Sequence, residues 1–410
     1  MLPQTPQQPR ERTSPLFNNN KLKLGLFFMN VGGGLRPSWA EGRLPPIWSV
    51  MRDVTVLADR AGIEAVIPLA RWIGFGGRSE MCENTFETFT WAAGLAEATR
   101  HIAVFATAQV PVFYPAHVAK MGSTVDHISG GRFALNVVCG SERDDLNLFA
   151  APELGHDTWY DYAGEWMELV NALWSSDEKL HYDGKYLKLT NARLRPKPIQ
   201  LPYPPIMNAG NSPVGQRWAA KYSDMFFTSA PPGDFETMAA RAHAMRALAR
   251  EHGREVQVWI QGSVICRPTL REAEEYADYV GVECGDMEAV ANRTKQPGLL
   301  AEVAALPSDA ARLRKRELVI TSYNMQPLIG TPEMIVDRLV RISQAGVDGL
   351  NLTFVNYEEG VRQWVTEILP LMEQAGLRQP FAPTNGQAPI RTLEEAAARG
   401  GREGCVSGSG

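Results

Sequence analysis

Few residues in this chain combine a reactive type with a place where chemistry gathers. Met29-Asn30, Ala70-Arg71, Thr107, Asn136 and Ser212 each stand at or just past the end of a short apolar run, and Asp144-Asp145 follow in the loop after the fourth. Thr107 and Asn136 offer hydrogen bonds, but neither shuttles protons at neutral pH. A set this poor in acids and bases points to a bound cofactor that carries the difficult chemistry. Ser212-Pro213 pairs an N-cap serine with proline at the first helical position, which leaves backbone N–H groups free. Such a helix start suits a phosphate, although a plain structural cap is the commoner explanation.

Other candidates resolve into simpler roles. Gly32-Gly33-Gly34 and Gly74-Phe75-Gly76-Gly77 fit neither GxGxxG nor the P-loop, and read as turns that permit close backbone approach. The second run lies beside Arg71 and Arg78, so facing a ligand is as good a reading as a structural one. Glu80, Glu83 and Glu87 have the i, i+3, i+7 spacing of a helix start, where acids favour the dipole, and so do not make a glycosidase pair. The histidines form no HExxH or HxH, and no metal is expected.

The elements that must position these residues alternate in type. LKLGLFF (22–28), EAVIP (64–68), IAVFAT (102–107), FALNVV (133–138), PIMNA (205–209), DMFFTS (224–229), VQVWIQGSVIC (256–266) and DGLNLTF (348–354) read as buried strands. Helical patterns follow at 46–61, 85–98, 115–128, 157–174, from Pro213, 234–252, 269–280 and 359–375. Alternation means α/β, either an open doubly wound sheet or a closed barrel, and eight repeats favour a (β/α)8 TIM barrel. Trp159, Tyr162, Ala163, Trp166, Val170, Leu173 and Trp174 form a helical stripe better explained as core than as a cofactor box. The stretches 175–203 and 283–330 exceed ordinary loop length and read as insertions at the barrel mouth.

The chain has 410 residues, 44% of them hydrophobic, and a formal net charge of −5. Dispersed charge of this sign argues against nucleic acid or an anionic membrane as partner. Cys82, Cys139, Cys266, Cys284 and Cys405 show no CxxC spacing and read as reduced thiols in a cytoplasmic protein. No run approaches the roughly 18 apolar residues of a membrane span, and no signal peptide is apparent. Residues 1–20 and 384–410 read as tails, with one barrel domain over 21–383.

Specific blocks carry a resemblance. ARWIGFGGRSE (70–80), NTFETFTWAAGLAEAT (84–99), PAHVAKMGSTVDHISGGRFALNVVCG (115–140), NAGNSPVGQRWAAKYSDMFF (208–227) and LIGTPEMIVDRLVRISQAGVDGLNLTF (328–354) resemble the luciferase-like two-component flavin monooxygenases. Within them the chain is most similar to the Rut-type pyrimidine monooxygenases, then to the dimethyl-sulfone monooxygenases. The resemblance implies FMN, taken as FMNH2 from a separate NAD(P)H:flavin reductase, with O2 as co-substrate. It implies that Ala70 and Arg71 approach the flavin, that Asn136 and Asp145 hydrogen-bond it, and that Tyr160 and Ser212 hold its phosphate side. Thr107 and Asn136 match the pair that encloses oxygen. It also implies a small-molecule substrate and a homodimer or homotetramer. Two positions depart from the relatives. Ser141 stands where they carry tryptophan, and Trp159 stands at the phosphate-side position where the pyrimidine enzymes carry arginine. A sulfone or sulfonate enzyme, a catalytically silent flavin-binding relative and an F420-dependent barrel are the rival readings.

Overall fold

The computed structural model describes residues 14–140 and 142–382. Five of its strands are Lys23–Phe27 (β1), Ala65–Ile67 (β2), Ala103–Gln109 (β3), Phe133–Val138 (β4) and, after an outlying hairpin of Leu180–Asp183 (β5) with Lys188–Ala192 (β6), Ile206–Asn208 (β7). Met225–Phe227 (β8), Gln257–Cys266 (β9), Gln326–Gly330 (β10) and Gly349–Thr353 (β11) complete the set. Parallel pairing runs β1-β2-β3-β4-β7-β8-β9-β11 and returns to β1, so the sheet closes into a barrel. All eight strands read from sequence are the barrel strands.

Alternation along each strand builds two cores. Phe27, Ile67, Phe105, Ala134, Met207, Met225 and Trp259 fill the lumen. Leu24, Leu26, Val66, Val104, Leu135, Leu350 and Leu352 pack outward under the helices. The tryptophan stripe of helix His156–Ser175 is core, as expected. The indoles of Trp166 and Trp174 are buried and donate to the carbonyls of Phe113 and Ala119, at 2.7 and 2.8 Å.

Four readings need adjustment. The ordered chain begins before residue 21: Leu16 is fully buried in the lumen cluster, and its carbonyl accepts from Gln257 Nε2 at 2.7 Å. An apolar residue in a polar tail is enough to plug the barrel floor. Strand β10 and helix Pro332–Gln344, capped by Thr331, lie in the crossover between β9 and β11. β9 is long enough to pair with β8 through its first three residues and with β10 through its last five. The insertion 175–203 is not at the mouth. Its hairpin lies against the helical layer, where Glu165 accepts from the backbone N–H groups of Lys185, Tyr186 and Leu187. Finally, Glu80 and Glu83 precede the helix, which starts at Thr88. Only Glu87 serves it, as an N-cap accepting from Phe89 and Thr90 N–H.

No helix among the described residues is long and apolar enough to cross a membrane. Cys82, Cys139, Cys266 and Cys284 are free and buried. Ser141, Cys405 and the stretch 384–410 lie outside the described residues.

Candidate functional site

The C-terminal ends of β2, β3, β4 and β7 gather the residues singled out from sequence. β3 and β4 pair in register with Thr107 opposite Asn136. Both point to the lumen side, because they continue the Phe105 and Ala134 alternation. The Thr107 hydroxyl donates to Pro68 O at 2.7 Å, so its proton is committed. Its oxygen then accepts from Asn136 Nδ2 at 3.2 Å, which fixes the orientation of that amide. The second Nδ2 hydrogen and Oδ1 of Asn136 have no partner among the described residues, and Oδ1 is buried. The pair therefore presents one oriented amide edge, with the threonine as its anchor.

The turn after β2 is held from three sides. Asn30 clamps it by donating to Leu69 O and accepting from Leu69 N–H, at 2.8 and 2.9 Å. Asp145, fully buried, accepts from the N–H groups of Trp72 and Ile73 at 3.2 and 3.0 Å, and from Gln109 Nε2 at 2.9 Å. Arg71 lies 3.6 Å from the same carboxylate, donates to Ile73 O and stacks 4.1 Å over Phe75. Asp145 thus turns its oxygens onto the loop that carries Ala70 and Arg71. Gln109 escaped the sequence reading, although it sits two residues beyond Thr107 on the same face of β3. Its amide joins Asp145 to the Trp72 indole, at 2.8 Å from Nε1.

The insertion 283–330 covers this loop. Asn292 donates to Phe75 O at 2.8 Å, and Asp286 accepts from Ser79 N–H at 2.6 Å. Gly77 has φ +72°, and a Cβ there would lie 2.4 Å from Asp286 Oδ2, so glycine is required. Lys295 pairs with Glu142 in the loop after β4, at 2.9 Å.

On the far side, Ser212 caps helix Pro213–Tyr222 by accepting from Gly215 N–H at 3.2 Å. Asn208 Oδ1 holds Gly210 N–H at 2.8 Å. A Cβ at either Gly210 or Gly215 would fall 2.6 Å from the Tyr160 hydroxyl, so two glycines open a close-walled cradle around that oxygen. Burial pushes the Tyr160 phenol up, while a hydrogen bond with Ser212 opposes the shift. Tyr160 is therefore a neutral hydroxyl beside a helix N-terminus, where Pro213 has no N–H and Ser212 takes that of Gly215. Trp159 differs: it is buried and meets Tyr162 edge-on at 5.6 Å, as expected of the core stripe.

These features fit a flavin phosphate-side cradle at β7 and a polar edge at β3 and β4. Among the described residues no group of three or more His, Cys, Asp or Glu could hold a metal ion.

Known proteins resemble this chain over most of its length. Residues 24–349 match the model of the luciferase-like monooxygenase family. An FMNH(2)-dependent dimethylsulfone monooxygenase of Pseudomonas putida is 29% identical over 361 residues, covering 86% of this chain and 96% of that protein. The pyrimidine monooxygenase RutA of Caulobacter vibrioides (strain NA1000 / CB15N) is 30% identical over 360 residues, covering 86% and 99%. The solved structure of riboflavin lyase, with modified FMN and riboflavin, superposes with TM-score 0.74 at 20% identity, covering 91% and 95%. That last likeness concerns the fold alone. A closed parallel barrel and a family match across most of the chain converge: this protein belongs to the luciferase-like monooxygenases, which are flavin-dependent enzymes.

Proposed function

We propose that this protein is an FMNH2- and O2-dependent monooxygenase, supplied with reduced flavin by a separate NAD(P)H:flavin reductase, that oxidises and opens a small nitrogen heterocycle of pyrimidine type. The observation that carries the reading is the Thr107–Asn136 pair, in register on neighbouring strands and oriented through Pro68 O. When bound, the reduced flavin supplies the electrons that activate oxygen. Ser212 and the N–H groups behind it hold the phosphate, and the Tyr160 hydroxyl closes that cradle. Trp159 supports Tyr160 from the adjacent helix position. Ala70 and Arg71 would line the cofactor's ring side, and Asp145 would act on the cofactor by fixing their loop. Asn136 directs its spare N–H at the oxygen where negative charge develops, a preorganised donor of the kind worth several kcal/mol. The assembly is a homodimer or homotetramer, as in the resemblance.

The pyrimidine assignment rests on the Arg71-GFGG-Arg78 block and on relatives of that name at about 30% identity. A dimethylsulfone relative of nearly equal similarity favours C–S cleavage as the second reading. The test supplies FMN, NADH, a generic flavin reductase and air, then follows uracil and dimethyl sulfone by mass spectrometry. Ring-opened product from uracil supports the first reading, and a sulfinate from the sulfone supports the second. FMN binding with turnover of neither would refute both substrate assignments.

A further inference from the structure

Among the described residues three arginines are almost completely buried. Arg71 faces Asp145 at 3.6 Å, and Arg378 faces Glu64 at 3.3 Å. Arg36, 5% exposed in the loop after β1, faces no carboxylate among the described residues. Its single hydrogen bond runs from Nη2 to Ser263 Oγ at 2.6 Å, while Nε and Nη1 have no partner. The neighbouring phenols do not balance it. Tyr357 donates its proton to Phe27 O at 2.6 Å, and the Tyr276 ring already carries the Arg267 guanidinium at 3.9 Å. Burial pulls Arg36 down to about 10, so it remains a cation at neutral pH. A buried unpaired charge is costly, and such a cost persists where a ligand repays it.

The surroundings point the same way. Ser263 lies on β9, which stands opposite β3 in the eight-strand cycle and so faces Thr107 across the barrel. Two residues earlier on the same face, Gln261 Oε1 is buried without a partner. Asn351, opposite Gln261 on β11 and fully buried, leaves both Nδ2 and Oδ1 unpartnered. Gln261 Nε2 donates to Tyr323 O, but buried polar groups are normally satisfied, so three side chains with unpartnered polar atoms along one wall of the lumen mark a place for a polar guest. The guanidinium fork matches an oxyanion with two adjacent oxygens.

We propose that Arg36, with Ser263, Gln261 and Asn351, forms an oxyanion subsite that holds a carboxylate or sulfonate of the substrate across the barrel from Thr107 and Asn136. This deepens the monooxygenase reading and rests on it: the preferred substrate is the acid, and the neutral heterocycle or sulfone is the poorer ligand. Gln261 and Asn351 would address the uncharged polar atoms next to the anionic group.

The test uses the full-length FMN-loaded protein and two matched pairs of probes: uracil with orotate, its ring carboxylate, and dimethyl sulfone with methanesulfonate. Calorimetric titration should show the acid of one pair binding at least tenfold more tightly than its neutral partner, and that pair identifies the oxyanion. Arg36→Gln should remove the preference with FMN affinity unchanged. Arg36→Lys, which keeps the charge and loses the fork, should retain a weakened preference and covers the case in which the glutamine variant does not fold. Equal or tighter binding of both neutral probes, including no binding by either acid, would overturn the subsite. So would an acid preference that survives Arg36→Gln. FMN binding with no acid preference defeats only this inference, whereas failure to bind FMN or oxygenate any probe defeats the monooxygenase reading.

Discussion

Replacing Asp145 by alanine isolates the device that holds the loop after β2. The substitution removes the acceptor of two backbone N–H groups, at Trp72 and Ile73, and one carboxamide contact from Gln109. Each buried donor left unsatisfied costs about 1–3 kcal/mol. Arg71 also loses its carboxylate, and breaking a buried pair costs about 3–5 kcal/mol. The terms overlap because the loop relaxes once freed, so a net loss of about 3–5 kcal/mol is expected. For a chain of this length that lowers the melting temperature by roughly 4–6 °C. Asp145→Asn keeps the shape and one acceptor oxygen, and should lose about half as much. Calorimetry gives the stability, and hydrogen exchange at Trp72 and Ile73 shows whether the loop has come loose. FMN affinity should fall by about tenfold in the alanine variant, by roughly 1.4 kcal/mol. Wild-type melting together with protected Trp72 and Ile73 amides in Asp145→Ala would refute the reasoning.

Three further outcomes follow from other parts of the fold. Asn136→Ala should cut oxygenation by roughly a hundredfold or more in rate. Its melting temperature should barely change, because Thr107 keeps its bond to Pro68 O and a buried orphan oxygen disappears; steady-state kinetics and calorimetry separate the two. Gly215→Ala, ordinarily favourable within a helix, should instead cost about 1–3 kcal/mol, because the new methyl lands 2.6 Å from the Tyr160 hydroxyl. Denaturant melts should show Tyr160→Phe recovering part of that loss in the double variant. His101, half-buried beside Phe381, has its pKa lowered from 6.5 chiefly by desolvation. The folded state then binds this proton less readily than the unfolded chain, so stability is lost as pH falls below about 6.5, towards the folded value. His101→Gln should flatten that part of the pH–stability profile.

Most of the barrel was legible because parallel strands covered on both faces leave continuous apolar runs. Ser212-Pro213 declared its helix start by capping chemistry, and Trp166 and Trp174 their burial by helical spacing. β10 was missed because Gln326–Gly330 carries only two aliphatic side chains and pairs with one edge of an over-long neighbour. Thr331-Pro332, just past the insertion 283–330, marks the start of the following helix as plainly as Ser212-Pro213 does. At the site, residue types identified Thr107, Asn136 and Arg71. Nothing local revealed that the Thr107 proton is spent on Pro68, or that Asp145 serves a loop 73 residues away in sequence. Arg36 was invisible for the same reason. An unpaired charge is defined by what fails to surround it in three dimensions, and that depends on β9, β11 and the loop after β1 meeting.

The central claim is that this barrel uses reduced flavin and molecular oxygen at the Thr107–Asn136 edge. The most direct measurement supplies FMN, NADH and a flavin reductase under oxygen-18 gas, with uracil, orotate, dimethyl sulfone and methanesulfonate as substrates. One labelled oxygen atom should enter an organic product in the wild type, and incorporation should fall by roughly a hundredfold or more in Asn136→Ala. Label absent from every product, or undiminished in Asn136→Ala, would contradict it.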